Sequence, residues 1–277
     1  MVKFQKLVFL TICLLLLPAT KLIAQEVYDF KFYHENDGNY KVLLADNNEF
    51  MPMSVKLTYE ATNINPSKPS GEIIVVPPGE KRYEIFRFQS FKPNEKSAFR
   101  YNLRSNFGDA TQTYYDNTVI YDLPFQSGKT HKIFKGYQGK RSHKGQNALD
   151  FDLKIGDPIH AAREGIVVRV VDEFDWNCPD ISCVKYNNYI LIMHKDFTFA
   201  EYTHLKKNGA LVKKGETVEK GQLIGQSGNT GYSSGPHLHF SVFLNPLTGQ
   251  RKSIKTPFKT SKGKEYLQEG KTYFKDY

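Results

Sequence analysis

Residues 225–240 read GQSGNTGYSSGPHLHF, and this stretch decides the fold of the second half of the chain. Its first part is rich in glycine, serine, asparagine and proline, which favour a shaped loop over a packed element. Its end runs into apolar residues typical of a strand. Residues i and i+2 of a strand share a face, so His237 and His239 are predicted to point the same way. Leu238 and Phe240 then face the core. A single strand histidine is most often structural, but two imidazoles side by side after a glycine-rich loop favour a metal or proton-transfer site.

A third histidine and two acids, all upstream, are candidates for the same site. The stretch HKGQNALDFD places His143 close to Asp150 and Asp152. Zinc accepts imidazole nitrogen and carboxylate oxygen as ligands. Because Asp150 and Asp152 would share one face of a strand, spacing alone leaves open which of them binds a cation. His204, at the end of the strand-like EYTHL, is a further candidate.

The N-terminus has the three-part layout of a secretory signal. Lys3 and Lys6 precede an apolar run over residues 7–17, and small residues follow as far as Ala24. The run is short for a membrane span, so a signal peptide of residues 1–24 is predicted, with an uncleaved signal anchor as the alternative. Loss of the three lysines of the signal would lower the formal net charge from +9 to +6. A moderately basic exported protein suits the periplasm, the cell wall or the medium. No basic run interleaved with aromatic residues indicates nucleic acid.

Two cysteines follow the predicted signal, Cys178 and Cys183 in WNCPDISC. In an oxidising compartment a disulfide between them is expected to pin the local loop. Their spacing is not that of a zinc knuckle, and the sequence has no second pair.

The pattern of short apolar runs and turn signals predicts an all-β protein in two parts. Residues 25–130 are typical of a β-sandwich-like accessory domain, which has no cluster with ligand spacing and is expected to pack against or position the second domain. A linker is predicted over residues 123–129. An antiparallel β domain over residues 131–250 follows, and then a lysine-rich C-terminal extension over residues 251–277. The extension is interpreted as solvated with one or two strands, and the alternative is that it wraps the domain or contacts the anionic wall.

Four blocks of the second domain resemble the lysostaphin and LytM-type zinc metallopeptidases, which cut peptides of bacterial peptidoglycan. The blocks are SHKGQNALDF, GDPIHAAREGIVV, EYTHL with VKKGETVEKGQLIGQSGNTG, and SSGPHLHF, and they lie within about residues 136–243. VKKGETVEKGQLIG is also similar to lipoyl and biotinyl carrier domains, but it lacks their modified lysine in its hairpin. The resemblance rests on all four blocks in order, and it implies a LytM-like (duplicated-hybrid) antiparallel sheet for the second, peptidase domain.

The resemblance implies one zinc ion per chain, bound by His143, Asp150 and His239. Asp150 is favoured over Asp152 because the family's aspartate is followed by an aromatic residue, here Phe151. The compact family pattern has three residues between its first histidine and the aspartate, whereas this chain has six. We interpret the difference as a subfamily loop.

The resemblance also implies that His204 and His237 are the catalytic pair. One would accept the proton of the attacking water and the other would hydrogen-bond the developing oxyanion, and the sequence leaves open which does which. There is no HExxH motif, so a helix-borne site with a glutamate base is not indicated. His34 is interpreted as a surface residue, His160 as structural or rim-lining, and His194 as lining the outer shell of the groove, whereas His131 is given no role.

The expected function is therefore that of an exported zinc metalloendopeptidase that hydrolyses stem or cross-bridge peptides of peptidoglycan. The protein is expected to be a monomer, with no membrane span after signal cleavage and no nucleic-acid partner. One alternative is a catalytically silent domain that binds cell wall or activates another hydrolase. The other is a zinc peptidase that acts on proteins or secreted peptides. The sequence does not say which bond is cut.

Overall fold

The structure is nearly all β, as the apolar runs predicted. A computed structural model describes residues 28–90, 92, 94–140 and 142–277. Within these ranges the helical structure is limited to one 3-10 turn, Ile181–Tyr186. The predicted signal peptide, residues 1–24, lies outside the described residues. In the described part of the chain, no helix is long and apolar enough to cross a membrane.

The first half forms two antiparallel sheets. Its strands are β1 (Phe30–Asp37), β2 (Tyr40–Asn47), β3 (Met53–Thr62), β4 (Ile64–Pro66), β5 (Ile73–Val76), β6 (Tyr83–Ser90) and β7 (Ala98–Phe107). One sheet has the order β1-β2-β6-β4 and the other the order β5-β3-β7. Leu43 and Phe86 of the first sheet share a buried cluster with Val55 and Leu57 of the second. The two sheets therefore pack face to face, which is sandwich packing.

The second half is built on one large sheet. Its strands are β8 (Thr130–Lys135), β9 (Ala148–Phe151), β10 (Pro158–His160), β11 (Gly165–Val171), β12 (Asn177–Cys178), β13 (Tyr189–Met193), β14 (Phe199–Thr203), β15 (Leu205–Ala210), β16 (Thr217–Val218), β17 (Leu223–Ser227), β18 (Gly231–Tyr232), β19 (Leu238–Leu244), β20 (Lys252–Ile254), β21 (Phe258–Thr260), β22 (Gly263–Glu265) and β23 (Thr272–Phe274). The large sheet has the order β16-β11-β13-β14-β19-β9-β8-β23, with β20 beside β19. A three-stranded sheet, β10-β17-β15, and two strand pairs, β12-β18 and β21-β22, complete the domain. Of these pairings only β12 with β18 is parallel among the described strands.

The register of the central strands places polar side chains next to each other. β19 lies between β14 and β9, so His239 is opposite Thr203 on one side and Asp150 on the other. Leu238 and Phe240 at the alternate positions are 0% and 1% exposed. The alternation predicted from the sequence is confirmed, and the polar positions of these strands form one wall of the candidate site.

The predicted linker over residues 123–129 is wrong at its start, because its first residues belong to the core of the second half. Leu123 and Phe125 are fully buried, and they pack with Tyr121 in the same apolar cluster as the large sheet. The proline and glycine of this stretch do mark turns. The apolar residues at alternate positions, however, face inward as in a strand.

The C-terminal extension, residues 251–277, is part of the fold and not the solvated tail that was expected. β20 pairs with β19, and β23 pairs with β8. Phe258 and Leu267 are buried in the main cluster. The core of the second half thus includes residues that precede the large sheet in sequence, such as Phe125, and residues of the C-terminal extension, such as Phe258.

We expect Phe258→Ala to lower the free energy of unfolding by about 3–5 kcal/mol, the range for an aromatic side chain removed from a core. The ring lies among those of Tyr121, Phe151 and Phe240. Urea unfolding measures the change, with Phe274→Ala on the same extension as the control. Phe274 is 46% exposed, so its loss should cost less than about 1 kcal/mol. Small and equal losses in both variants would contradict a core role for the extension.

The two halves meet in a further apolar cluster. Met51 and Phe107 of the first half pack with Phe199 and Phe243 of the second, and the Phe107 and Phe199 rings meet edge to face at 5.2 Å. Gly108 has φ +88°, and a Cβ there would lie 2.9 Å from the Phe199 ring. The expectation that the accessory domain packs against the second domain is therefore confirmed.

Candidate metal centre

Three side chains converge at the polar face of the large sheet. Asp150 lies in β9, His239 lies in β19, and His143 lies in the turn before β9. Nδ1 of His239 is 2.9 Å from Oδ1 of Asp150, and Nε2 of His143 is 3.2 Å from the same oxygen. The two ring nitrogens are 3.3 Å apart. One ion could therefore contact all three atoms.

This set of atoms fits zinc. A tetrahedral zinc ion with bonds of about 2.0–2.2 Å keeps its ligand atoms about 3.3 Å apart. The three separations of 2.9, 3.2 and 3.3 Å are close to that value. Two imidazoles and one carboxylate also leave a fourth position for water. Within the described ranges, these residues form the only group of three or more histidine, cysteine or acidic side chains placed to hold a metal ion.

The backbone fixes the ring of His143. Its Nδ1 donates a hydrogen bond to the carbonyl oxygen of Gly136 at 3.0 Å. Nε2, the nitrogen that faces Asp150, is then the one that can bind a metal ion once it gives up its proton. Metal-binding histidines are usually held by such a bond on their second nitrogen, which sets both the tautomer and the ring orientation.

Asp150 is buried and yet charged. Burial acts to raise the pKa of its carboxyl group, but hydrogen bonds from His143 and His239 outweigh burial and hold the pKa well below the usual 3.8. Burial likewise acts to lower the pKa of His143, and the hydrogen bond with Asp150 outweighs it, so this pKa is raised above 6.5. A fixed negative charge between two imidazoles favours a cation at this point.

His204 and His237 lie beside the three converging side chains, with ring centroids 4.5 Å apart. Nδ1 of His204 donates to the carbonyl of Thr230 at 2.7 Å, and Nδ1 of His237 donates to the carbonyl of Gly235 at 2.8 Å. In both rings Nε2 is then the acceptor, and that of His237 is 3.8 Å from Oδ2 of Asp150. Burial, followed by the charges of the neighbouring imidazoles, lowers the pKa of His204 to about 3. Burial also lowers the pKa of His237. Both rings are neutral near pH 7.

The predicted disulfide between Cys178 and Cys183 is confirmed. Its loop lies against the glycine-rich loop, where Ser233 N–H donates to the Cys178 carbonyl at 3.2 Å. Asn177 Nδ2 donates to the Ser233 carbonyl at 3.1 Å, and Ser233 Oγ lies 3.3 Å from Nδ1 of His237. The sequence indicated the bridge but not this contact, through which the disulfide loop supports His237.

Two further residues at the site were not anticipated. Nζ of Lys135 is 3.5 Å from Oδ2 of Asp150, and the ring of Phe134 meets that of His237 edge to face at 5.3 Å. Both residues belong to β8, whose sequence THKIFK has no ligand pattern. The pairing of β8 with β9, which sets Lys135 opposite Asp150, brings them to the site.

The other candidates lie away from this point. The side chain of Asp152 is 47% exposed and lies 3.2 Å from Nδ1 of His131. His160 bonds through Nδ1 to a backbone carbonyl in the turn after β16. His34 bonds to a tyrosine hydroxyl in the accessory domain. The structure therefore places Asp150, and not Asp152, with His143 and His239.

His194 lies in the core and does not line the site. Its Nδ1 donates to the carbonyl of Glu164 at 2.7 Å. Burial, followed by the positive charge of Arg163, lowers its pKa to about 4, although the charge of Asp196 acts in the opposite direction. In the unfolded chain this pKa is about 6.5.

We therefore expect the folded state to lose stability as the pH falls from about 6.5 to about 4. In this range His194 binds a proton in the unfolded chain but not in the folded one. Its contribution to the free energy of unfolding is therefore complete above pH 6.5 and is lost as the pH falls toward 4. The loss is on the order of 3 kcal/mol. Urea unfolding of wild type and His194→Gln across this range measures it, because glutamine keeps a donor but does not titrate. An equal loss in both proteins would contradict this origin.

Comparison with known proteins agrees with this geometry. Residues 143–251 match Peptidase family M23, which confirms the family resemblance that the four blocks predicted. An uncharacterized metalloprotease of Buchnera aphidicola subsp. Baizongia pistaciae is 39% identical over 168 residues, which are 56% of this chain and 42% of the relative. The peptidoglycan DD-endopeptidase ShyA of Vibrio cholerae is 37% identical over 110 residues, 39% of this chain and 23% of ShyA. This chain thus spans less than half the length of either relative.

A solved structure is also similar to part of this chain. The catalytic domain of the antimicrobial peptidase lysostaphin from Staphylococcus simulans is 29% identical, and the alignment covers 45% of this chain and 87% of that domain with a TM-score of 0.33.

Proposed function

We propose that this chain, which carries a peptidase family M23 domain over residues 143–251, is an exported zinc metalloendopeptidase that hydrolyses peptide bonds in bacterial peptidoglycan. One observation carries the proposal. His143, Asp150 and His239 converge beside His204 and His237 within the region that matches the family.

The protein's part in binding is to hold three ligand atoms in place before the metal arrives. His143 and Asp150 are buried, and the register of β9 and β19 fixes Asp150 against His239. Zinc, when bound, supplies the Lewis acidity that polarises a scissile carbonyl and acidifies a water molecule. Because the carboxylate stays charged to low pH and the three ligand atoms already lie together, a metal ion has only to displace the imidazole protons that face Asp150.

The protein's part in the chemistry is proton transfer and charge stabilisation by His204 and His237. Both rings are neutral near pH 7, and each has its Nδ1–H committed to a backbone carbonyl. Nε2 of one ring is an acceptor for the proton of the attacking water, which it can return to the leaving amine. The other ring can donate to the oxyanion when its own proton shifts from Nδ1 to Nε2, which needs no added proton.

Peptidoglycan is the proposed substrate because of the relatives and the setting of the chain. ShyA is named a peptidoglycan DD-endopeptidase. The Cys178–Cys183 disulfide is typical of an oxidising compartment, which supports export as the predicted signal does. After signal removal the formal net charge would be +6, which favours contact with an anionic wall.

Digestion of purified sacculi, followed by mass spectrometry of the soluble muropeptides, tests the proposal. The zinc content of the purified protein is measured on the same sample. We expect one zinc per chain and new free amines in the peptides, and the fragment masses identify the bond. The chelated protein should be inactive, and zinc should restore it.

Three other outcomes would contradict the proposal. Zinc binding with intact sacculi but cleavage of a protein substrate would indicate a peptidase of proteins or secreted peptides. Zinc binding with neither substrate cleaved, but with retention on sacculi, would indicate a silent wall-binding domain. Absence of zinc would exclude the metal centre.

A further inference from the structure

A carboxylate on the C-terminal extension reaches the backbone that supports the metal centre. Glu269 lies beyond the residues that match the peptidase family, 143–251. Its Oε2 accepts a hydrogen bond from the N–H of Gly136 at 3.0 Å. Gly136 is buried, so without this acceptor its N–H would lack a partner within the protein, at a cost typical of a buried unsatisfied donor.

The same glycine holds His143. The carbonyl of Gly136 accepts from Nδ1 of His143 at 3.0 Å. Two hydrogen bonds, one to the N–H and one to the C=O of Gly136, therefore connect Glu269 to His143. Because both polar groups of Gly136 are bonded, the direction of its carbonyl is fixed, and that carbonyl sets the orientation of the ring.

Close packing accompanies these bonds. A Cβ on Gly136 would lie 3.0 Å from Cβ of Glu269 and 3.2 Å from its backbone nitrogen. A Cβ on Gly139 would lie 3.3 Å from Cβ of His143. The extension thus contacts the glycine-containing turn directly, and any larger residue at position 136 would separate the two segments.

The backbone next to Glu269 is hydrogen-bonded to β8, the strand that ends just before Gly136. The N–H of Gly270 donates to the carbonyl of Ile133 at 2.7 Å, and the N–H of Ile133 donates to the carbonyl of Lys271 at 2.9 Å. Beyond these bonds β23 pairs with β8. Glu269 is therefore held at a fixed place relative to Gly136 even though much of its side chain faces solvent.

We propose that Glu269 is a positioning residue of the metal centre, which acts through Gly136 to hold His143 in the tautomer and orientation that bind zinc. The proposal rests on the proposed zinc site. Loss of the carboxylate frees the peptide plane that carries the Gly136 N–H. Because glycine restricts φ and ψ little, the next plane, which carries the Gly136 carbonyl, is then held less firmly, and Nε2 of His143 faces the metal for a smaller fraction of the time.

Zinc affinity of three variants tests the proposal, measured by competition with a chelating dye. Glu269→Ala is expected to weaken zinc binding by about tenfold, the lower end of the range for outer partners of metal ligands. Glu269→Asp keeps the charge but shortens the side chain, and it should also weaken binding. Glu269→Gln keeps an acceptor oxygen of the same reach and should stay within about twofold of wild type.

Glu265→Ala is the matched control. Glu265 lies on the same extension, and its carboxylate accepts from the hydroxyl of Thr260. Its loss should alter thermal stability about as much as the loss of Glu269, but it should leave zinc affinity unchanged. Equal weakening in Glu265→Ala and Glu269→Ala, or wild-type affinity in Glu269→Ala, would overturn the proposal.

Imidazole ¹H–¹⁵N spectra of the metal-free protein separate this proposal from the proposed function. At a pH high enough for the ring of His143 to be neutral, we expect its proton on Nδ1 in wild type and in Glu269→Gln, and a mixture of tautomers in Glu269→Ala. Failure of the wild type to bind zinc would overturn the proposed function, and the spectra would still test Glu269. Identical spectra in all variants would overturn the role of Glu269 alone.

Discussion

His239→Ala is expected to abolish zinc retention and wall hydrolysis together. His239 contributes Nδ1 from the central strand β19, 2.9 Å from Oδ1 of Asp150. Alanine leaves two protein ligands, His143 and Asp150, which are too few for a stable zinc site. Because zinc supplies several kcal/mol of transition-state stabilisation, the rate should fall by about a thousandfold or more. Metal analysis after dialysis and release of muropeptides from sacculi are the two measurements.

His160→Ala serves as the control for this variant. His160 also bonds to a backbone carbonyl through Nδ1 but lies away from the centre. It should keep one zinc per chain and near-wild-type hydrolysis. If His239→Ala kept its zinc or still released muropeptides at the wild-type rate, the metal assignment would be wrong.

The second large effect is expected at His204 and His237, the proposed catalytic pair. His204→Ala and His237→Ala should each keep one zinc per chain but lower kcat/KM by about 10²–10⁴, the range for a general base or an oxyanion donor. Neither ring belongs to the three converging ligands. The double variant should be little worse than the more damaged single variant, because groups that act as a unit are not additive.

The pH profiles of the two variants distinguish the roles of the two rings. The variant that loses the base should lose the rise of kcat/KM with pH, whereas the variant that loses the oxyanion donor should keep that rise at a lower rate. His131→Ala, at a partly buried residue that contacts Asp152 and not the three converging side chains, is the control. Loss of zinc from either variant would contradict the assignment and would make that histidine a ligand.

The central part of the site could be predicted because it depends on residues that are close together in sequence. Because side chains alternate along a strand, His237 and His239 were predicted to point to one side. Leu238 and Phe240 are buried in the core, as this alternation requires. His237 itself precedes β19, in an isolated bridge with Gly228, yet its ring still reaches the centre. Spacing alone did not distinguish Asp150 from Asp152. The family resemblance favoured Asp150, and the structure places it beside the two histidines.

The parts that could not be predicted depend on pairing between distant segments. Glu269 and Gly136 are 133 positions apart, and only the alignment of β23 with β8 brings them together. Lys135 reaches Asp150 for the same kind of reason. The extension was misjudged because its abundant lysines suggested solvent, although Phe258 within it is fully buried. Average composition describes the exposed face of such a segment and says little about the few side chains that it buries.

Burial of the flanking segments sets a lower limit on the size of a transplantable peptidase. A fragment cut to the family match, residues 143–251, would lack Phe125 on one side and Phe258 on the other, both of which are fully buried. Their absence would leave apolar cavities open to water and the strand β9 without its neighbour β8, and such surfaces and edges promote aggregation. A fusion of this half of the chain to another domain should therefore include the residues from Val119, which packs against the core cluster, to the last strand, β23.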